Sequence, residues 1–292
     1  MLDVILQILV FGVVLGGVYA LASLGIGLAW GLMHNVNFSH GEWIMIAMYS
    51  TFWLSTLFGL DPLLLIPINM LLGMAIGAVL QKVIFQSVSN RGGGALMTIL
   101  STFGVSLLMT GIAQALWKQT IYTLPNHYVN TYLRVGPVSV SAAYLLTFIF
   151  SLVAISAIYF FLKKTLIGKA ILATSEVLGD PEAASLMSIN TAKTNILALG
   201  LAGASTGIAG TLIATFYYIT PSVGITWSVL AFVVVILGGL GSFSGLLLSG
   251  ILVGVLETIG NLILGQAYGY IFVYAVFLLV LYFRPKGLKG RA

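Results

Sequence analysis

The chain has 292 residues, 60% of them hydrophobic and 7% charged, whereas soluble domains average about 25% charged residues. Apolar runs of about 18 residues or more recur from end to end, which excludes an ordinary soluble fold and also a β-barrel, whose segments alternate over roughly ten residues. With no cysteine, disulfides and thiolate metal sites are excluded, and the net charge of +5 is read as loop topology rather than nucleic-acid affinity.

The first apolar run covers about 4–32. The opening Met1-Leu2-Asp3-Val4-Ile5-Leu6-Gln7 lacks the basic stretch that a cleaved signal needs, and the first Lys or Arg is Lys82. This run is therefore expected to be a retained span. A polar break follows, His34-Asn35-Val36-Asn37-Phe38-Ser39-His40-Gly41-Glu42, in which Asn37 or Ser39 suits an N-cap. Further runs lie at about 41–60, 62–81, 93–117, 140–162, 193–219, 226–240, 243–264 and 268–284. The run at 226–240 is short and ends in Gly238-Gly239-Leu240-Gly241-Ser242, so it reads either as a full pass or as a half-helix or re-entrant element. The expected fold class is all-α and polytopic, with eight or nine transmembrane helices and glycine-broken segments. No polar stretch is long enough to fold alone, so 1–292 is expected to be a single domain.

Charge orients these runs. The tail Arg284-Pro285-Lys286-Gly287-Leu288-Lys289-Gly290-Arg291, the Lys-rich segment 163–193, and the loop flanked by Lys82 and Arg91 all read as cytoplasmic. Counting runs between them puts the N-terminus outside, the loops near 34–40, 82–92 and 163–193 inside, and the C-terminus inside. The segment 118–139, with Lys118 and Arg134, then becomes an external loop. The 34 glycines form the second signal. Many stand four apart, as in Gly12/Gly16, Gly27/Gly31, Gly73/Gly77, Gly203/Gly207 and Gly250/Gly254. That spacing lets helix backbones approach closely in lipid. The breaks at 34–42 and 238–242 differ, because non-helical backbone at membrane depth must be buried in protein or line a watery cavity.

Chemistry-bearing motifs are sparse. No phosphate-binding loop, zinc-protease motif or catalytic triad is present, and only three histidines occur, His34, His40 and His127. Of the carboxylates, only Glu42 and Glu257 are candidates for a buried proton relay, and no acidic chain of the kind a proton-driven pump uses is visible. His40 and Glu42 alone make a weak metal signal, and a polar helix entry is the plainer reading. The charged island stands out instead. It holds Lys163, Lys164, Lys169, Glu176, Asp180, Glu182 and Lys193. Within it, Asp180-Pro181-Glu182-Ala183-Ala184-Ser185-Leu186-Met187-Ser188-Ile189-Asn190 carries an Asp cap and a Pro at the first helical position. A short amphipathic helix is expected, with Glu182 exposed and Ala183, Leu186 and Met187 buried. It reads as a solvated interfacial helix or as a helix presented to a partner. With little coupling machinery of its own, the chain is expected to draw energy from outside.

Several segments resemble one family. Gly17-Val18-Tyr19-Ala20-Leu21-Ala22-Ser23-Leu24-Gly25 and Asn37-Phe38-Ser39-His40-Gly41-Glu42 resemble the leading signature of the branched-chain amino acid permeases of ABC importers, the LivH type. Gly168-Lys169-Ala170, Glu182-Ala183-Ala184 and Leu186-Met187-Ser188-Ile189-Asn190 resemble that family's cytoplasmic loop. Val234-Val235-Ile236-Leu237-Gly238-Gly239-Leu240-Gly241-Ser242 and Phe283-Arg284-Pro285-Lys286-Gly287-Leu288 resemble its closing signatures. Three departures stand out. The loop around Val177-Leu178-Gly179 is about three residues longer than usual. Leu172 replaces an expected arginine, and Leu230 a common lysine.

The resemblance implies an inner-membrane permease subunit for branched-chain amino acids, with urea, short amides and other amino acids as alternatives within the family. It implies a paralogous permease or second copy, two cytoplasmic ATP-binding subunits and a periplasmic solute-binding protein as partners. ATP and Mg would sit on the ATPase subunits, with no cofactor on this chain. Glu182, Ala183, Ala184, Leu186 and Asn190 would form the ATPase-coupling helix. Asn37, Ser39, His40, Glu42, Gly238, Gly239 and Gly241 would lie at the pathway or gate. An ion-coupled transporter and a passive channel are the readings of other class.

Overall fold

The computed structural model describes residues 2–33, 36–175, 179–265, 268–284 and 287–289. Its helices follow the apolar runs and their punctuation. Helix α1 (Leu2–Met33) has a single charged residue, Asp3, in its first turn. Helix α2 (His40–Phe58) stops at Gly59, whose φ of 63° is the left-handed cap that glycine adopts without a Cβ penalty. Asp61 then accepts the Leu63 N–H at 2.8 Å and opens a 3-10 turn, Pro62–Leu65. That turn leads into α3 (Ile66–Leu80), which passes through a π-helical turn at Gln81–Phe85 into α4 (Gln86–Asn90).

Next come α5 (Ala95–Trp117), the short α6 (His127–Asn130) and α7 (Ala142–Lys164). The remaining helices are α8 (Leu166–Ala173), α9 (Pro181–Leu186), α10 (Thr191–Ala214), α11 (Val223–Gly238), α12 (Phe243–Leu264) and α13 (Gly269–Phe283). Among the described residues six helical stretches are long and apolar enough to cross a membrane: Asp3–Met33, Pro62–Asn90, Ala95–Trp117, Ala142–Lys164, Thr191–Ala214 and Phe243–Leu264. Val223–Gly238 and Gly269–Phe283 are apolar but shorter. The protein is an α-helical, multi-pass membrane protein.

Three expected elements have other bounds. The run at 62–81 continues helically to Asn90, through most of the expected loop at 82–92. The run at 140–162 begins as a strand, not a helix. β1 (Tyr132–Val135) pairs antiparallel with β2 (Val138–Ser141) across Gly136-Pro137, and Gly136 supplies the positive φ, 59°, that a tight primed turn needs. The run at 193–219 stops being helical at Ala214. Asn126 donates to the Thr215 carbonyl at 2.8 Å, Ile219 pairs with Tyr122 in an isolated bridge, and the residue before Pro221 is steered away from helix.

α10 is the hub. From Ala198 to Ala214 nearly every side chain is buried, as expected of a helix apolar all round. It packs against α1, α2 and α3. The contact with α3 is glycine on glycine. A Cβ on Gly73 would overlap the Gly203 carbonyl, and a Cβ on Gly207 would overlap the Asn69 carbonyl. The pair α1 and α12 repeats the device: a Cβ on Gly12 would lie 2.7 Å from Val255 Cα, and one on Gly250 would lie 2.7 Å from the Gly16 carbonyl. Polar clasps tie the same helices. Asn69 donates to Thr51 of α2 and Thr211 of α10, both at 2.8 Å. Ser249 of α12 donates to the Val234 carbonyl of α11 at 2.6 Å.

At one end of the bundle Gln7 brackets Ser139, donating at 2.7 Å and accepting at 2.8 Å, and Tyr128 donates to Asp61 at 2.5 Å. The other end gathers Lys163, Lys164 and Lys289 with the α11–α12 turn. There the tail folds back, and the Leu288 N–H donates to the Leu237 carbonyl at 2.7 Å. This is called the basic end below.

Two outcomes are expected. Gly203→Leu places a side chain against backbone and is expected to destabilise by more than the ~1–3 kcal/mol typical of overpacking, while Gly104→Ala, facing open space, leaves the melting temperature in mild detergent unchanged. Asn69→Ala removes both interhelical bonds and is expected to cost about 1–3 kcal/mol in detergent unfolding.

Candidate functional site

The basic end carries a built surface. Thr165 caps α8 by accepting the Gly168 N–H at 2.9 Å. Gly168 lies so close to α7 that a Cβ would stand 2.5 Å from Leu162 Cα. After the segment 176–178, which lies outside the described residues together with most of the three-residue expansion, the chain returns to α8 through an Asp180 N–H to Ala173 carbonyl bond of 3.1 Å. Asp180 then caps α9, its Oδ1 accepting from Glu182 N at 2.9 Å and Ala183 N at 3.1 Å. Pro181 occupies the first turn. These are the cap and proline that the sequence predicts.

The buried face of α9 is not the predicted one. Ala184 is buried, whereas Ala183 is exposed and Leu186 and Met187 are 86% and 78% exposed. Six residues provide one inward position, and Ala184 fills it against α8 and α10. Both larger apolar side chains are left pointing away, beside the exposed Glu182. The end of α9 is locked. Ser188 sits at φ 63°, its N–H donates to the Ser185 carbonyl at 3.0 Å, and the Ile189 N–H donates to the Ala184 carbonyl at 3.1 Å. This is a Schellman closure with serine where glycine is usual. Asn190 is not on the exposed surface of α9 but caps α10, accepting the Lys193 N–H at 2.9 Å.

The polar break is a knot inside the protein. Asn37, Ser39, His40 and Glu42 are each at most 2% exposed. Asn37 Oδ1 accepts from both the Ser39 N–H at 3.0 Å and the Ser39 hydroxyl at 2.8 Å. Ser39 in turn accepts the Trp43 indole N–H at 3.1 Å. His40 Nε2 reaches the Ala22 carbonyl of α1 at 2.7 Å, and Gly41 N donates to Ser228 of α11 at 2.8 Å. Ser39 stands at the N-cap of α2, yet its side chain makes no cap bond. Among the described residues two polar atoms in the knot lack hydrogen-bond partners at bonding distance, Asn37 Nδ2 and Glu42 Oε2. Glu42 faces α5, with Ser106 and Thr110 on the near side.

Gly238, Gly239 and Gly241 form the hairpin between α11 and α12. Gly239 and Gly241 have φ of 86° and 75°. A Cβ on Gly238 would come within 2.8 Å of the Gly245 backbone. The glycines shape a tight turn at the basic end.

Two features have no local sequence signal. Tyr19 of α1 donates to Glu257 of α12 across 238 positions. A polar cleft of about 430 Å³ opens at the basic end beside α9, lined by Gln81, Thr98, Thr174, Pro181 and Asn195 among others. Gln81 lies on the π-helical turn, is 5% exposed, and its Oε1 has no partner among the described residues. π-Helical turns are frequent at functional sites.

The sequence profile described as "Branched-chain amino acid transport system / permease component" matches residues 8–281. The chain is 30% identical over 297 residues to the high-affinity branched-chain amino acid transport system permease protein BraD of Pseudomonas aeruginosa, covering 98% of this chain and 96% of BraD. It is 28% identical over 300 residues to LivH of Salmonella typhimurium, with 98% and 96% covered. It is 24% identical over 294 residues to a probable LivH of Methanocaldococcus jannaschii, with 97% and 92% covered. No solved structure matches. Matched over nearly its whole length, the chain belongs to the family of branched-chain amino acid transport system permease components.

Proposed function

We propose that this chain is the translocation subunit of an ATP-driven importer for branched-chain amino acids or a closely related small polar solute. The observation that carries the coupling role is α9. It is acid-capped and locked at both ends, and it holds Glu182, Leu186 and Met187 out from the basic end. A fixed helix with two bare apolar side chains and one carboxylate suits a groove on a second protein. In this reading that protein is one of two ATP-binding subunits, which carry ATP and Mg. A second permease and an external solute-binding protein complete the assembly. The chain itself performs no covalent chemistry.

The whole of 1–292 acts as one permease domain in the bacterial inner membrane, with 163–193 as its cytoplasmic coupling loop. α11 and α13 are 16 and 15 residues long, about 24 and 22 Å, against a hydrocarbon core of about 30 Å. Counting α11 and α13 together with α2 and the six longer stretches as crossings gives nine, with the β1–β2 end outside and the basic end inside, which agrees with the lysine bias. The polar cleft beside Pro181 fits a cytoplasmic vestibule whose wall moves with α9. The knot at 37–42 and the turn at 238–241 border the route as fixed walls that hold α2 against α1 and α11.

Two tests follow. In proteoliposomes holding the full assembly, Glu182→Lys and Leu186→Asp are each expected to cut ATP-dependent leucine uptake by about tenfold or more, with subunit association weakened and membrane insertion unchanged. Normal uptake in both variants would overturn the coupling role, and equal uptake by the chain alone without ATP would overturn the importer reading. A reporter fused after Ala292 is expected in the cytoplasm; a periplasmic signal would reverse the topology.

A further inference from the structure

A second cavity at the basic end, about 610 Å³, lies between α7, α8 and the α11–α12 turn. Its two halves differ in chemistry. One carries ammonium groups and hydroxyls. Lys289 Nζ stands 3.4 Å from the Ser244 hydroxyl, and Lys163 Nζ lies 4.7 Å from the centre of the Tyr159 ring. Both lysines are exposed, and among the described residues neither is paired with a carboxylate. The other half is apolar, formed by Ile155, Phe160, Leu172 and Leu247. Phe160 is 57% exposed, and further along α7 the side chains of Val153 and Ile149 are 60% and 47% exposed. The groove therefore runs from two unpaired cations onto an uncovered apolar helix face.

We propose that this groove holds one anionic diacyl phospholipid. The phosphate would lie between Lys163 and Lys289, with the Ser244 hydroxyl as a further donor, and the acyl chains would follow α7 past Phe160 and Val153. The division of the walls selects the occupant. A soluble anion would leave the apolar half bare. A zwitterionic lipid would meet the cations with no net charge. Basic pockets between helices at the cytoplasmic surface are where anionic headgroups are attracted, and each lysine adds to that attraction. Lys163 is the last full turn of α7 and Lys289 lies on the tail that closes α11, so the bound lipid would tie the tail to α7.

The test is lipid retention by the purified full-length chain in mild detergent, read by native mass spectrometry with added phosphatidylglycerol or phosphatidylcholine. One phosphatidylglycerol is expected to be retained about tenfold or more over phosphatidylcholine. Lys163→Gln with Lys289→Gln is expected to bring the two lipids to parity without altering the melting profile, while Lys118→Gln with Arg91→Gln keeps the preference. Equal retention in the wild type, or an unchanged preference in the first double variant, would overturn the proposal. Displacement by glycerol phosphate at equal concentration would reassign the site to a soluble anion and overturn it too. Because the chain has no native cysteine, a photo-crosslinker on Phe160→Cys reports the occupant in native membranes. A lipid adduct is expected, and an adduct to another protein subunit would overturn the proposal.

Discussion

Everything in this bundle depends on backbone meeting backbone at two glycine seams. Within lipid, apolar side chains gain nothing by leaving one hydrocarbon for another, so helices associate through dispersion, hydrogen bonding and close fit. α3 meets α10 at Gly73 and Gly203, and α1 meets α12 at Gly12, Gly16, Gly250 and Gly254. With side chains removed from those faces, the axes draw together. The larger residues on either flank then reach across, and Asn69 can touch Thr51 and Thr211 at once. The positions of the polar knot at 37–42 and of α9 are set by these seams, since α2 and α8 both lean on α10.

Much of this was written plainly in the chain. Most apolar runs mark their helices to within a few residues, because a spanning segment tolerates almost no charge, although the helix from Pro62 carries Lys82 and runs on to Asn90. The four-residue glycine spacing marks the seams, although the sequence does not say which pair meets which. Asp180 and Pro181 mark the start of α9 because a cap is a local bond, made two residues away. What the sequence concealed is non-local or depends on count. Tyr19 and Glu257 find each other only after α12 lies along α1. The burial of α9 fails a periodicity argument because six residues make fewer than two turns, and the small Ala184 is enough to fill its single inward position.

The polar break shows how a signature segment can be read two ways. Asn37, Ser39, His40 and Glu42 look like lining for a watery passage when viewed as a string of polar letters. In the fold Asn37 and Ser39 bond each other, Ser39 accepts from Trp43, His40 reaches the α1 backbone, and the Gly41 N–H between them bonds Ser228 of α11. Their chemistry fixes the angle at which the chain re-enters after α1. Among the described residues Asn37 Nδ2 has no hydrogen-bond partner, and Glu42 turns toward Ser106 and Thr110 of α5.

The tail adds a consequence for how the protein is made. The last carbonyls of α11, at Leu237 and Gly238, are satisfied by the amides of Leu288 and Lys289, about fifty residues later in the chain. At a synthesis rate of roughly 5–20 residues per second, the α11–α12 turn waits about 3–10 s for its closing partners. Until then it is held by its own local bonds, among them Ser242 N–H to the Gly239 carbonyl and Gly245 N–H to the Ser242 hydroxyl, and the bundle has an unfinished seam at the basic end. Leu288 and Lys289 thus act as a late latch on the fold: a chain stopped before them would keep every apolar helix and still present open carbonyls at its basic end.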